Sequence, residues 1–309
     1  MDRMSELKKR LSQVLPAFEI AEEELLAKHT SFRIGGPAEL MVFPRTREEL
    51  AAILRMAAEM EIEPRILGCG TNVLAPDEGV RGPVIVTRET FMGLELVSPT
   101  HIAAMAGMTL AQTANFAARN RLSGLEFAHG IPGSVGGGVY MNAGAYGGEF
   151  SGVAVRTEFM HLDGTTEVLE GEQQGFSYRM SAFQKQKGVI VRTEFALQPA
   201  DEADIRARMK ELSEKRRASQ PLELPSAGST FKRPQQGYAA ALIEQAGLKG
   251  LSVGGAAVSE KHAGFIVNKA GASAADVLAL VRLVQERVLD ATGVRLEPEV
   301  RLWGVEDAD

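Results

Sequence analysis

The stretch His129–Glu149, HGIPGSVGGGVYMNAGAYGGE, is the part of this chain around which the rest is organised, and eight of its residues are glycine. Pro132, Ser134 and Asn142 interrupt the glycines without forming a repeat, which is not the composition of a flexible linker. Glycine permits positive φ angles and lets backbone N–H groups approach a ligand, so several donors can converge on one anion. The interior of this glycine segment carries no formal charge. We therefore expect peptide dipoles to hold the phosphate or pyrophosphate of a cofactor.

Glycine runs also occur at strand crossings and β-bulges, where they only solve a packing problem. A second cluster, Gly68–Asn72 (GCGTN), favours the ligand interpretation because it follows a short apolar run at 65–67. Val73 at the sixth position, with no long helical pattern after it, excludes a Rossmann fingerprint, and the cluster is not a P-loop either. The residues alone leave both interpretations of the glycine segment open.

Composition indicates a globular protein with room for two or three cores, since the chain has 309 residues of which 45% are apolar. The net charge is −6 without a stripe of one sign, so nucleic acid is not an expected partner. Cys69 is the single cysteine, which excludes an internal disulfide and a CxxC-type metal site. The five histidines lie far apart in the sequence, and no metal is predicted.

The N-terminal residues MDRMSELKKR lack the apolar region of a signal peptide, and no apolar run approaches the length of a membrane span. We therefore expect a cytoplasmic protein with no membrane partner.

Helical periodicity and turn residues predict four parts: a leader over 1–28 with a break at Pro16, two α+β lobes over 29–100 and 101–218, and a C-terminal domain over 219–309. A ligand between the two lobes is expected, because each contains one glycine-rich stretch. Helices are predicted over 46–61, 109–117, 202–218, 238–246 and 273–292, and strands over 65–67, 84–87, 94–97, 101–106, 188–197 and 264–268, with a hairpin over 159–169.

Three polar stretches fall outside this structural pattern: 178–181 (YRMS), 226–234 (SAGSTFKRP) and 297–301 (EPEVR). Each has an ordinary structural explanation. Arg179 is explained equally well as a surface arginine paired to an acid, Ser229 as the cap of a turn, and Glu299 as a solvated strand residue. Their spacing in the sequence does not decide between structure and chemistry.

From His29 to Gly304 the chain resembles the UDP-N-acetylenolpyruvoylglucosamine reductases, the MurB flavoenzymes of peptidoglycan synthesis. The motifs that carry the resemblance follow one another in the family's order: GCGTN (68–72), DEGVRG (77–82), GIPGSVGGGVYMNAGAYGGE (130–149), YRMS (178–181), SAGSTFKRP (226–234), EQAGLKG (244–250), VSEKHAGFIVN (258–268) and EVRLWG (299–304).

This resemblance implies an α+β protein with the two-lobed FAD-binding fold of the PCMH and vanillyl-alcohol-oxidase type, followed by a C-terminal α+β substrate domain. It implies an NADPH-dependent oxidoreductase that reduces the enolpyruvyl group of UDP-N-acetylenolpyruvoylglucosamine to give UDP-N-acetylmuramate. The chain is similar to the shorter subgroup, which lacks an extra substrate-covering loop.

The resemblance also assigns three catalytic side chains, and their chemistry suits the reaction. Hydride addition to the terminal carbon of the enolpyruvyl group places negative charge on the neighbouring carboxylate, and the Arg179 guanidinium is suited to bind it. Glu299 helps only if it is protonated and donates a hydrogen bond, which requires a raised pKa. Ser229 matches the family's proton donor to the other carbon.

For the binding residues, the resemblance implies non-covalent FAD contacts in both glycine-rich stretches and basic side chains that meet the UDP diphosphate. Three positions depart from the family pattern: Thr71, Met180 and Ala257, of which Ala257 stands where glutamine is expected and removes a polar substrate contact. The implied FAD ligands are Gly68, Gly70, Thr71, Asn72, Gly133, Ser134, Asn142, Ala143 and Gly144, and the implied substrate ligands are Tyr178, Arg217, Lys232 and Arg233.

Two alternatives belong to other functional classes. The first is another FAD-dependent sugar or alcohol oxidoreductase on the same fold, because fold does not fix function. The second is a non-catalytic nucleotide-binding protein, which the presence of Ser229, Arg179 and Glu299 disfavours.

Overall fold

The structure is a computed structural model that describes residues 3–15 and 18–304. The predicted break at Pro16 lies outside these residues. The chain forms two compact units, and both are assembled from separate stretches of sequence. Unit 1 contains residues 1–22, 39–69 and 82–215, and unit 2 contains residues 23–38, 70–81 and 216–309. The predicted division into a leader, two lobes and a C-terminal domain remains a prediction. Unit 2 combines the C-terminal part of the chain with two short stretches from its N-terminal part, 23–38 and 70–81.

The α-helices of the described residues are α1 (Arg3–Val14), α2 (Arg47–Glu59), α3 (Leu110–Arg119), α4 (Glu126–His129), α5 (Val135–Tyr140), α6 (Glu202–Ser219), α7 (Ala239–Gln245) and α8 (Ala274–Thr292). Short 3₁₀ helices lie at Leu26–Lys28, Phe150–Gly152, Gly171–Gln174 and Ala182–Lys185.

The first ten strands are β1 (Ile20–Leu25), β2 (Pro37–Val42), β3 (Arg65–Leu67), β4 (Val73–Leu74), β5 (Val80–Val86), β6 (Leu94–Ser98), β7 (His101–Met105), β8 (Leu122–Ser123), β9 (Gly144–Ala145) and β10 (Gly148–Glu149). The others are β11 (Ala154–His161), β12 (Thr166–Glu170), β13 (Gly188–Ala196), β14 (Gln198–Pro199), β15 (Ser226–Ser229), β16 (Ser252–Val253), β17 (Ala256–Val258), β18 (Phe265–Asn268) and β19 (Arg301–Leu302).

Unit 1 is built on two larger sheets. The first has the strand order β1-β2-β5-β3, and β3 pairs in parallel with β5; the division between the units falls inside β1, β2 and β5. The second is antiparallel with the order β12-β11-β13-β7-β6. Phe150, directly after the glycine segment, is fully buried and meets Phe127 and Phe195 edge to face, with ring centroids 5.9 and 5.6 Å away. This aromatic contact attaches the glycine segment to the core of unit 1.

Unit 2 is built on the antiparallel sheet β15-β18-β17-β16, which packs against helix α8. The buried face of α8 repeats at helical spacing and includes Val277, Leu280, Val284 and Val288. In the same unit, strand β19 pairs in parallel with β4, with Arg301 opposite Val73. Unit 2 therefore brings residues near position 73 next to residues near position 301.

The helix ends follow the predicted signals closely. Thr46, Thr109 and Ser273 each accept a hydrogen bond from the N–H three residues later, and each makes a complete capping box. Helix α8 ends at Gly293 with φ of 72°, a left-handed conformation suited to glycine. The predicted hairpin over 159–169 is confirmed by the antiparallel pairing of β11 with β12.

In the four-stranded sheet, three strands differ from the sequence prediction. Strand β2 was not predicted, and residues 20–25 of the expected leader form β1 of the four-stranded sheet. Strand β5 begins four residues before the predicted 84–87, although it contains glycine and proline. The N–H of Gly82 donates to the Glu39 carboxylate at 2.9 Å, so this peptide group has a partner within the strand region. In the described part of the chain, no helix is both long and apolar enough to cross a membrane.

Candidate active site

The glycine segment contains a short helix that the sequence did not predict. Helix α5 spans Val135–Tyr140, and the Ser134 side chain caps it by accepting the N–H of Gly137 at 3.3 Å. Because glycine is a poor helix former, this cap is more important for the stability of α5 than it would be in an alanine-rich helix. The main chain around Ser134 is fixed on both sides: Leu110 N donates to Gly133 O at 3.0 Å, and Val135 N donates to Met108 O at 2.8 Å.

The glycine cluster and the glycine segment meet inside unit 1 at Ser134. A Cβ atom added to Gly68 would lie 2.2 Å from the Ser134 Oγ, so an unshifted Ser134 requires glycine at position 68. Ser134 also hydrogen-bonds the Cys69 thiol, and burial raises the pKa of that thiol above its ordinary value. Close packing therefore explains one glycine in each stretch. Gly68 of the cluster packs against Ser134, and a Cβ on Gly138 of the glycine segment would lie 3.0 Å from the Phe150 ring.

Unit 1 nevertheless keeps main-chain donors that fit a pyrophosphate. Within the described residues, no hydrogen bond of the protein uses the backbone N–H of Gly68, Cys69, Gly133 or Ser134. Such amides are the groups with which proteins bind phosphate oxygens, and the interior of the glycine segment has no carboxylate to repel the anion. The residues present therefore fit the pyrophosphate of FAD.

Asn142 is fully buried, and its side chain serves the fold. Its Oδ1 accepts the N–H of Ser151 at 2.8 Å, and its Nδ2 donates to Ser177 O at 3.0 Å. Its own N–H donates to Val139 O at 3.1 Å, and that of Ala143 donates to Gly138 O at 2.8 Å. Asn142 and Ala143 were both expected to bind FAD, but their main-chain N–H groups are already used within the protein.

Arg179 lies in unit 1 in a left-handed conformation with φ of 56°. The side-chain amide of Gln184 donates to Arg179 O at 3.0 Å and to Tyr140 O at 2.7 Å. This bridge ties Arg179 to the end of helix α5. The Arg179 guanidinium carbon lies 5.1 Å from the centre of the Tyr178 ring, and Tyr178 is half exposed. The two side chains predicted to contact substrate in this motif are thus adjacent.

The segments that carry Ser229 and Glu299 are hydrogen-bonded to each other in unit 2, although they are far apart in sequence. Ser229 is exposed at the end of β15 and pairs with Phe265 of β18. The next residue, Thr230, is buried and accepts the N–H of Glu299 on its carbonyl at 2.8 Å. The Thr230 Oγ1 also accepts the N–H of Ile266 at 3.0 Å. Thr230 therefore fixes the segments that carry both predicted catalytic side chains, a role that nothing in its sequence context indicated.

Asn72 contacts the same C-terminal segment. Its Nδ2 donates to Glu299 O at 3.2 Å, and its carbonyl accepts the N–H of Arg301 at 2.9 Å. The family resemblance implied only a cofactor role for Asn72, because residues 227 positions apart show no pattern in the sequence that predicts contact. Gly70, in the same unit, has φ of 59°, and a Cβ there would lie 2.2 Å from His29 O, so this position requires glycine.

The basic residues predicted to meet UDP lie in unit 2, where Arg217 and Arg233 are exposed and Lys232 is partly exposed. The side chains of Lys232 and Arg233 each have a partner in the protein. Lys232 Nζ lies 3.3 Å from a Glu297 carboxylate oxygen. The Arg233 guanidinium carbon lies 4.1 Å from the centre of the Tyr238 ring. The main-chain carbonyl of Arg217 accepts a hydrogen bond from Lys261 Nζ at 2.8 Å. A solvent-exposed ion pair such as Lys232–Glu297 is weak enough for the lysine to exchange its carboxylate partner for a phosphate.

The departures from the family pattern occupy different environments. Ala257 is 4% exposed in β17 and packs with Phe265 and Val267, so this side chain belongs to a small apolar cluster. Met180 is exposed, and its main chain pairs with Ser177 across the turn that contains Arg179.

Two family models match the chain in succession. An FAD binding domain matches residues 38–170, and the C-terminal domain of UDP-N-acetylenolpyruvoylglucosamine reductase matches residues 220–303. The reductase of Caldanaerobacter subterraneus subsp. tengcongensis is 41% identical over 295 residues, which cover 96% of this chain and 97% of that protein. The reductase of Clostridium botulinum is 45% identical over 285 residues, covering 92% of each. The chain belongs to the UDP-N-acetylenolpyruvoylglucosamine reductase family.

A solved structure supports the same assignment for this MurB chain. The crystal structure of UDP-N-acetylenolpyruvylglucosamine reductase from Thermus caldophilus matches with a TM-score of 0.80 at 39% identity, over 93% of this chain and 99% of that one. The predicted family, the α+β FAD-binding fold and the FAD cofactor are confirmed. The similar lengths agree with the predicted shorter subgroup.

Proposed function

We propose that this protein catalyses the NADPH-dependent reduction of UDP-N-acetylenolpyruvoylglucosamine to UDP-N-acetylmuramate, in cytoplasmic synthesis of peptidoglycan precursors. One observation carries the proposal: identity of 41% to reductases of this name extends over 96% of the chain. When bound, FAD accepts hydride from NADPH and supplies it to the enolpyruvyl double bond. The fold alone would not decide this, because related folds serve other oxidoreductases.

The protein's own residues then bind the substrate and control charge and protons. We assign the Arg179 guanidinium to the substrate carboxylate, where it offsets the negative charge that develops as the double bond is reduced. A protonated Glu299 carboxyl donates a second hydrogen bond to that charge. The Ser229 hydroxyl delivers a proton to the carbon next to the carboxylate. The juxtaposition of Ser229 and Glu299 through Thr230 supports these roles.

The binding assignments follow the same motifs. In unit 1 we assign Gly68, Gly133 and Ser134 to FAD through main-chain N–H groups, and Ala143 and Gly144 as closely approaching surface, whereas the fully buried Asn142 supports this segment from within the fold. In unit 2 we assign Gly70, Thr71 and Asn72 to FAD, and Arg217, Lys232 and Arg233 to the UDP diphosphate. Tyr178, half exposed beside Arg179, is assigned to the substrate.

Oxidation of NADPH that depends on UDP-N-acetylenolpyruvoylglucosamine is the direct test of the reaction. The purified protein should be yellow, and NADPH absorbance should fall only when this substrate is present. NADPH consumption without the substrate, or oxygen-dependent turnover of a sugar or alcohol, would instead favour an oxidase. A colourless protein that binds nucleotide without turnover would favour a non-catalytic role.

The Ser229→Ala variant tests the proton donor. We expect a decrease of about 10²-fold or more in the rate of enolpyruvyl reduction, the usual scale for a lost general acid. Flavin reduction by NADPH should be unchanged. Stopped-flow absorbance separates the two half-reactions, and an unaltered substrate half-reaction would refute the role of Ser229.

A further inference from the structure

The C-terminal segment that carries Glu299 is held from two sides within unit 2. On one side, Lys232 N donates to Glu297 O and Glu299 N donates to Thr230 O, both at 2.8 Å. On the other side, Arg301 N donates to Asn72 O at 2.9 Å, at the start of the parallel pairing of β19 with β4. Glu299 therefore lies between the part of the segment that is bonded to residues 230–232 and the part that is bonded to Asn72.

The carbonyl of Glu299 is bound by a side chain. Asn72 Nδ2 donates to it at 3.2 Å, and this contact fixes the orientation of the amide, because an oxygen in that place would face another acceptor. The N–H of Glu299 is fixed by Thr230, and its C=O is fixed by Asn72. The two bonds restrain φ and ψ of this residue and therefore the direction of its Cα–Cβ bond.

We propose that Asn72 is a positioning residue for Glu299, whose side-chain amide orients the glutamate by holding its main-chain carbonyl. The role rests on the proposed function, in which Glu299 acts on the substrate carboxylate. It separates two tasks within one residue. Among the described residues, no hydrogen bond of the protein uses the main-chain N–H of Asn72, which leaves this donor for the cofactor, whereas the side chain serves Glu299. Side-chain replacement at position 72 therefore spares the cofactor contact.

Catalysis is sensitive to the placement of such groups, since a displacement of about 1 Å lowers rates by about 100-fold. In flavin-loaded Asn72→Ala, we expect the single-turnover rate of enolpyruvyl reduction to fall roughly 10- to 100-fold. Flavin content and the rate of flavin reduction by NADPH should stay at wild-type values. Asn72→Asp, which preserves the shape and removes the donor, should show the same loss and guards against a packing defect.

A double-mutant cycle with Glu299→Ala isolates the positioning role. Once the carboxyl is absent, its orientation no longer matters, so the double variant should be no slower than Glu299→Ala alone. Gln285→Ala is the matched control: the Gln285 amide donates at 2.8 Å to Leu296 O on the same segment, three residues before Glu299. We expect Gln285→Ala to retain the rate of enolpyruvyl reduction.

Four results would overturn the positioning role without affecting the proposed function. They are an unchanged rate of enolpyruvyl reduction in Asn72→Ala, loss of flavin or slower flavin reduction in Asn72→Ala, an equal loss of rate in the Glu299→Ala background, and an equal loss of rate in Gln285→Ala. A wild-type protein that does not reduce UDP-N-acetylenolpyruvoylglucosamine would instead overturn the proposed function, and the positioning role with it.

Discussion

Replacement of Gly68 by alanine tests the contact between the glycine cluster and the glycine segment. The new Cβ would lie 2.2 Å from Ser134 Oγ and 3.3 Å from Ser134 Cβ. Gly68 does not have a positive φ angle, so the contact, and not backbone strain, determines the cost. Relief requires the hydroxyl to rotate away, which removes the cap of α5 at Gly137. Loss of such a cap costs about 1 kcal/mol, so Gly68→Ala should destabilise unit 1 by about that amount.

The same reasoning fixes the result for two related variants. Ser134→Ala loses the same cap and should cost about 1 kcal/mol, and the double variant should cost no more than either single change. Thermal unfolding followed by circular dichroism should show Tm values lower by about 2–4 °C in all three variants. Flavin absorbance measured alongside reports on the cofactor. Additive losses in the double variant would refute the proposed contact between position 68 and Ser134.

Three further predictions concern stability. Thr230→Val should cost about 1–3 kcal/mol, because it leaves a buried N–H of β18 without its acceptor, whereas Thr230→Ser should retain most of the stability in urea unfolding. Gly293→Ala should cost about 1–2 kcal/mol because φ there is 72°, whereas Gly152→Ala, with no atom within 4 Å of the new Cβ, should be nearly neutral by the same measurement. Burial lowers the pKa of His129 and of His262 below the ordinary value of about 6.5. The unfolded chain then binds protons that the folded chain does not, so the free energy of unfolding should fall as pH decreases below about 6.5, and His129→Asn with His262→Asn should flatten that dependence.

Local signals predicted most of the secondary structure. The caps at Thr46 and Ser273 and the terminal Gly293 act within one helical turn, so the residues beside them in sequence are sufficient to predict them. Strand β2 was missed because its burial depends on neighbouring strands that are distant in sequence. The short helix α5 was missed because three of its six residues are glycine, and its cap offsets that low propensity.

The candidate site was predictable as a set of residues but not as an arrangement. Ala257 illustrates the limit: it stands where the family pattern has glutamine, which suggested the loss of a polar substrate contact, and only the structure shows that this side chain is buried in an apolar cluster. Asn142 illustrates a second limit. An asparagine in a glycine-rich segment suggests ligand binding, and only the structure shows that its side chain is bonded to two main-chain groups of the protein.

The order of motifs along the sequence was sufficient to determine the family and the FAD-binding fold and to predict catalytic roles for Ser229, Arg179 and Glu299, because motif spacing and residue chemistry are properties of the linear chain. Only the tertiary structure decided that Thr230 and Asn72 hold the main chain of Glu299, and which amides near Ser134 remain available to a cofactor. Asn72 and Glu299, for example, are 227 positions apart, and no local pattern in the sequence encodes a hydrogen bond between them.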